Sequence, residues 1–140
     1  MKINLKKVVA NLDLFMSEKR FLNYMDSIKK ESSRTEGISL ISVNVSSFRP
    51  KMSTVFISKE FIFAAKYNDG FAFYSDGFFV ERKDIQKYHI KTGTLNDRLV
   101  IETTLKTSAG KSMELVMNFS KTMSVNWHQK NLKRLREFIE

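Results

Sequence analysis

No cysteine occurs in the 140-residue chain. Disulfides, thiolate metal sites and cysteine nucleophiles are thereby excluded together, and the composition fits a reducing compartment. Histidine is confined to His89 and His128. A zinc site takes three or four ligands, usually with short spacings between some of them. Neither the two histidines nor carboxylates such as Glu102 and Glu114 show that spacing, so no metal ligand is assigned. No run approaches the ~20 apolar residues of a membrane-spanning helix. The densest stretch, Phe61 to Ala65, is strand-sized. The amino terminus offers Lys2, Lys6 and Lys7, then only Val8-Val9-Ala10 before Asn11 and Asp13, too short an apolar stretch for a signal peptide. A cytoplasmic protein is expected.

What is present fits one globular domain. The chain has the length of a single domain and buries roughly two thirds of its unfolded surface without staples. Its 42% hydrophobic and 12% aromatic content argues against disorder. The net charge of +9 points to nucleic acid, an anionic surface or an acidic partner if it is concentrated. It is not concentrated. Residues 1–36 carry eight basic and five acidic side chains, residues 37–123 twelve and eight, and the last seventeen four and two.

Hydrophobic spacing gives the organisation. From Asn4 to about Ser33 the period is helical: Leu5, Val8, Val9, Leu12, Phe15 and Met16 share one face, and Phe21, Leu22, Met25 and Ile28 repeat the spacing after a phase slip near Ser17–Arg20. One bent helix or two short ones would both produce this. Ser32 to Gly37 reads as the stop. Ile41, Val43 and Val45 then alternate with polar residues as in a half-buried strand, Arg49-Pro50-Lys51 interrupts with the only proline, and Thr54–Ile57 and Glu60–Lys66 are nearly continuous apolar runs.

Asn68-Asp69-Gly70 and Asp76-Gly77 predict two hairpin turns flanking a short strand, because a type I′ turn needs positive φ at both central residues. Ile85–Ile90 predicts another strand. Leu99, Ile101, Thr103 and Leu105, then Met113, Leu115, Met117 and Phe119, predict a hairpin with one wet face around Ser108-Ala109-Gly110-Lys111. From Ser124, a candidate N-cap, Val125, His128, Leu132, Leu135 and Ile139 form the apolar stripe of a last helix.

Phe71-Ala72-Phe73-Tyr74, Asp76-Gly77 and Arg82-Lys83-Asp84-Ile85, followed by the Leu99–Phe119 hairpin and a terminal helix, resemble the small bacterial pleckstrin-homology-like domains over roughly residues 54–140. The resemblance implies a bent sandwich plugged at one end by the C-terminal helix, and leaves the N-terminal helix unexplained. Lipid-binding members of that family use a basic cluster in the first strand-to-strand loop. The segment near residue 54 has no such hairpin cluster, so phosphoinositide binding is not carried over. The expected class is therefore α+β: an antiparallel β sandwich or partly open barrel of about seven strands in one domain. Its helical segment spans 1–36, its β core 37–121, and its C-terminal amphipathic helix 122–140.

Motifs that carry chemistry give way to simpler readings. Ser108-Ala109-Gly110-Lys111-Ser112 ends like a phosphate-binding P-loop, but the first glycine of that motif would fall at Leu105 and a strand follows where a helix is required. His128 lies on an apolar stripe, where a packed, hydrogen-bonded histidine is the common case. Asp69, Asp76 and Asp97 sit at turns, which their backbone-bonding habit explains. Nine aromatics between Phe56 and Phe79 have only Lys59 and Lys66 among them, a composition of core rather than of a base-stacking groove.

No catalytic residue, cofactor site or metal site is assigned. The expected function is a non-enzymatic adaptor or scaffold module. Its protein partner, or a second copy, would meet the N-terminal helix at Phe21, Leu22, Met25 and Ile28, while Leu5, Val8, Leu12 and Phe15 pack on the domain. One alternative is a nucleic-acid- or anionic-lipid-binding protein using diffuse positive charge. Another is a small enzyme without a recognisable motif.

Overall fold

The computed structural model describes residues 17–29, 36–46, 49–68 and 73–139. Helix α1 (Glu18–Lys29) precedes strands β1 (Gly37–Ser46), β2 (Arg49–Ser58), β3 (Phe61–Asn68) and β4 (Phe73–Glu81). A 3-10 turn at Arg82–Asp84 leads to β5 (Ile85–Thr92), β6 (Asn96–Lys106) and β7 (Ser112–Ser120), and two short helices follow, α2 (Asn126–Leu132) and α3 (Leu135–Ile139). The seven strands form one antiparallel sheet in the order β4-β3-β2-β1-β7-β6-β5, which among the described residues is open at β4 and at β5. The fold is α+β and sandwich-like: β1 to β4 form one half and β5 to β7 the other. The halves join at β1 and β7, whose only registered pair is Ser42 with Phe119.

The continuous apolar runs follow from burial on both faces. On the inner face, Ile38, Leu40, Val55, Ile57, Ile62 and Ala64 meet Leu99, Ile101, Met117 and Phe119 across the sandwich, with Leu132, Leu135, Phe138 and Ile139 of α2 and α3 closing the cluster. On the outer face, Phe56, Phe61, Phe63, Ala65, Tyr67 and Tyr74 lie with Phe21 and Met25 of α1. The Phe21 ring sits 5.7 Å from Phe63 and 5.4 Å from Tyr74. Among the described residues the β5–β7 half has helices on its inner face only. Accordingly β6 alternates, with Leu99, Ile101 and Thr103 buried and their neighbours more exposed.

Asp76-Gly77 does not turn the chain, in contrast to the sequence expectation. Strand β4 runs through it as one element, paired with β3 from Asn68↔Phe73 to Phe61↔Glu81, and the register shifts between Ala64 and Lys66. Ala65 therefore faces two residues of β4, the mark of a β-bulge, with Asp76 at φ 55°. Positive φ is what a bulge and a type I′ turn have in common. The bulge also corrects a parity problem. Tyr74 and Phe79 are five residues apart and would face opposite sides of a regular strand, but the extra residue puts both on the outer face, where Phe79 lies 4.6 Å from Phe63. Gly77 fits closely there. A Cβ would lie 2.6 Å from the Phe63 ring and 2.9 Å from Tyr24, and the Gly77 N–H donates to Tyr24 Oη at 3.1 Å.

Other expectations fare differently. The Ser108–Lys111 segment is a hairpin turn, with Gly110 at φ 81° and its N–H bonded to the Thr107 carbonyl. Pro50 does not break the pattern, because it is the second residue of β2, paired with Val45. Asp69 and Gly70 lie outside the described residues, as do Leu5, Val8, Leu12 and Phe15. The C-terminal helix is two helices. Arg134 N–H and Glu137 N–H bond back three residues, to Asn131 and Arg134 carbonyls, tightening the chain between α2 and α3. The residue preceding α2 is Val125, which makes no side-chain cap, so Ser124 does not fill that role.

Candidate functional site

Beyond Ser42 the β1–β7 ladder stops, and the backbone groups it would have paired are met by side chains of α2. The Ile41 N–H donates to His128 Nδ1 at 2.9 Å, and His128 Nε2, carrying the proton, donates to the Ser120 carbonyl at 2.9 Å. One turn along the same face, Asn131 Nδ2 bonds the Ser39 carbonyl and Glu18 Oε2 of α1, each at 2.9 Å. His128 is fully buried. Desolvation holds its pKa below the ordinary histidine value, opposed by the bond to Ser120. The residue is thus a structural bridge between β1 and β7, neutral in the folded state. Asn131, which no sequence motif singles out, ties α1, β1 and α2 together.

His89 is elsewhere, on β5, with Nε2 3.0 Å from Glu102 Oε2 in an exposed cross-strand pair. The structure does not bring the two histidines together. Among the described residues no three His, Asp or Glu side chains gather as metal ligands. Nor is any helix among them long and apolar enough to cross a membrane.

The four candidate partner residues separate. Phe21 and Met25 are core, 0% and 1% exposed. They are not available to a partner, because the outer face of β1–β4 needs them. Leu22 packs part-buried beside that cluster, and Ile28 alone stands out, 39% exposed. The phase slip in the sequence falls where α1 begins: Ser17 lies just before it, its carbonyl accepting the Phe21 N–H at 3.2 Å.

Among the described residues, two of the three exposed large apolar side chains flank one sheet edge. Ile28 lies on the outer side of β4, lining a cleft of about 360 Å³ with Phe61, Phe79, Lys29 and Glu81. Phe78, 43% exposed, points to the inner side and lines a smaller cleft of about 120 Å³ with Val55, Ala64, Leu115 and Met117. The third, Leu95, is in the β5–β6 turn, 62% exposed. A further cleft of about 300 Å³ lies by Asp97, Lys121, Gln129, Leu132 and Lys133, where Lys121 Nζ bridges Asp97 at 3.2 Å.

Among the described residues four groups have displaced pKa values, each for a local reason. Burial pushes Tyr74 up to about 12, the neighbouring Thr54 opposing; the two hydroxyls are buried near each other but out of hydrogen-bonding geometry. Burial raises Tyr88, whose hydroxyl accepts from Arg82 at 2.6 Å. The Glu81 carboxylate raises Lys83, and His128 is lowered as described. None of the four lines any of the three clefts. Comparison of the chain with protein-family models, curated proteins and solved structures gives no match.

Proposed function

We propose that the chain is a non-enzymatic adaptor or scaffold module of pleckstrin-homology-like type, working in the cytoplasm by holding a protein partner. The strand order, with three strands of one half and four of the other closed by C-terminal helices, is in keeping with the family that the sequence resembles. One observation carries the reading: apolar side chains are exposed on both sides of the open edge at β4, while the groups with displaced pKa values lie away from the clefts. An enzyme of acid–base type concentrates such groups in its pocket. A binding module needs anchors and an unpaired edge, and β4 offers both.

A photo-crosslinking residue placed at position 78, and in a control at position 95, tests this in the cell of origin. The module reading expects an adduct of one defined mass from position 78 and none from position 95. The same adducts at both positions, or none at either, would contradict it.

A further inference from the structure

A β-sheet edge presents unpaired N–H and C=O groups, and proteins guard such edges with lysines, bulges or cover. The two edges here are guarded unequally. Strand β5 carries exposed Lys87 and Lys91 and a register shift between Ile85 and Lys87. Strand β4 carries no lysine or arginine from Phe73 to Glu81. Its bulge distorts only Asp76-Gly77, leaving Phe78 to Glu81 regularly paired with β3 and, among the described residues, open on the far side.

Successive residues of a strand point to opposite faces. A strand added beside Phe78 and Phe79 must therefore place neighbouring side chains on both faces at once. Each face has an apolar cleft: the larger on the outer face by Ile28, Phe61 and Phe79, the smaller on the inner face by Phe78 and Leu115. The occupant must be an extended segment with consecutive large apolar residues. The chain itself contains one, Phe78-Phe79-Val80.

We propose that β4 pairs antiparallel with β4 of a second copy, making one sheet continuous through a two-fold axis near Phe79. This register sets Phe79 beside its own counterpart on the outer face and Phe78 beside Val80 of the second copy on the inner face. Glu81 falls beside Gly77, which has no side chain to oppose it. Asp76 is brought toward Arg82 of the second copy, opposite charges at the two ends of the shared segment. Arg82 spends one N–H on Tyr88 Oη, and the rest of its guanidinium fork can serve this contact. Because the same patch serves both copies, the contact closes at two. Self-pairing does not depend on the module also holding a foreign partner.

Sedimentation equilibrium of the full chain, from low micromolar to near-millimolar concentration, tests the pairing. The wild type is expected to reach the mass of two chains and no more. Phe78→Lys, which places a lysine on the open edge at an already exposed position, is expected to weaken association at least about tenfold with the melting temperature unchanged. Lys91→Glu on the opposite edge should leave association as it is. If Phe78→Lys fails to fold, the milder Phe78→Thr replaces it. A wild type that stays at the mass of one chain overturns the proposal, as does a Phe78 variant that still pairs or a mass that climbs past two. A single-chain mass together with a crosslinked foreign partner at position 78 overturns self-pairing and leaves the module reading standing.

Discussion

His128 accepts an N–H at one ring nitrogen and donates at the other, so protonation would set two N–H groups against each other inside the core. Its folded-state pKa is lowered by burial, so the unfolded chain binds the proton more tightly. Stability is therefore complete above the unfolded value near 6.5 and falls as pH drops below it toward the lowered folded-state value, with a slope of at most about 1.4 kcal/mol per pH unit. Urea unfolding at stepped pH should show this slope, and His128→Gln should flatten it. An unchanged slope in the variant would assign the acid sensitivity to other groups. Gly77 makes a second residue-scale prediction. Ring carbons stand only 2.6–2.9 Å from where a Cβ would lie. Gly77→Ala therefore overpacks the bulge, costing roughly 1–3 kcal/mol in the same assay; a neutral result would show that Phe63 and Tyr24 give way freely. At this scale His128 was legible, since its place on an apolar stripe already reads as a packed histidine. Asn131 was not, because its partners, Ser39 and Glu18, are 92 and 113 positions away.

The helices and strands were legible to the extent that periodicity reports them. Alternation in β6 and β7 gave their inner faces correctly, since one face stays wet. The runs at Thr54–Ile57 and Phe61–Ala65 carry the signature of two-sided burial, but periodicity does not say what covers the second face. That cover is α1, through Phe21 and Met25, the pair expected on sequence grounds to meet a partner. Asp76-Gly77 misled for a different reason: of the two positive-φ residues that a type I′ turn needs, only Asp76 takes that conformation, at φ 55°, and a single such residue makes a bulge rather than a hairpin. The parity of Tyr74 and Phe79 is the sequence signal for the bulge. Met25→Asp should destabilise the domain by about 3 kcal/mol or more, as an unpaired charge in the core, whereas Ile28→Asp should stay within about 0.5 kcal/mol. Guanidinium melts of the two variants check this. Comparable losses would mean that α1 lies on the sheet differently.

For the whole molecule, the α+β class expected from periodicity and turn signals matches the seven-strand antiparallel sheet with helices before and after it in the sequence, while the split of the last helix into α2 and α3 left no mark on the apolar stripe. The +9 net charge is spread along the chain, and several of its members are engaged locally: Lys121 with Asp97, Lys83 with Glu81, Arg134 with Glu137. Binding to DNA or anionic vesicles should accordingly be weak and fall steeply with added salt. Fluorescence titration at physiological ionic strength checks it, and affinity persisting there for one sequence or headgroup would favour the nucleic-acid or lipid reading.

Helix α1 belongs to the core through Phe21 and Met25, and the proposed association is assigned to the β4 edge instead. Native-state hydrogen exchange decides this, because amides that open only with the whole domain are protected by the full unfolding free energy. The α1 amides from Phe21 to Ile28 should share the slow exchange of β2 and β3. Exchange of α1 orders of magnitude faster than those strands would make the helix a detachable arm and contradict the account.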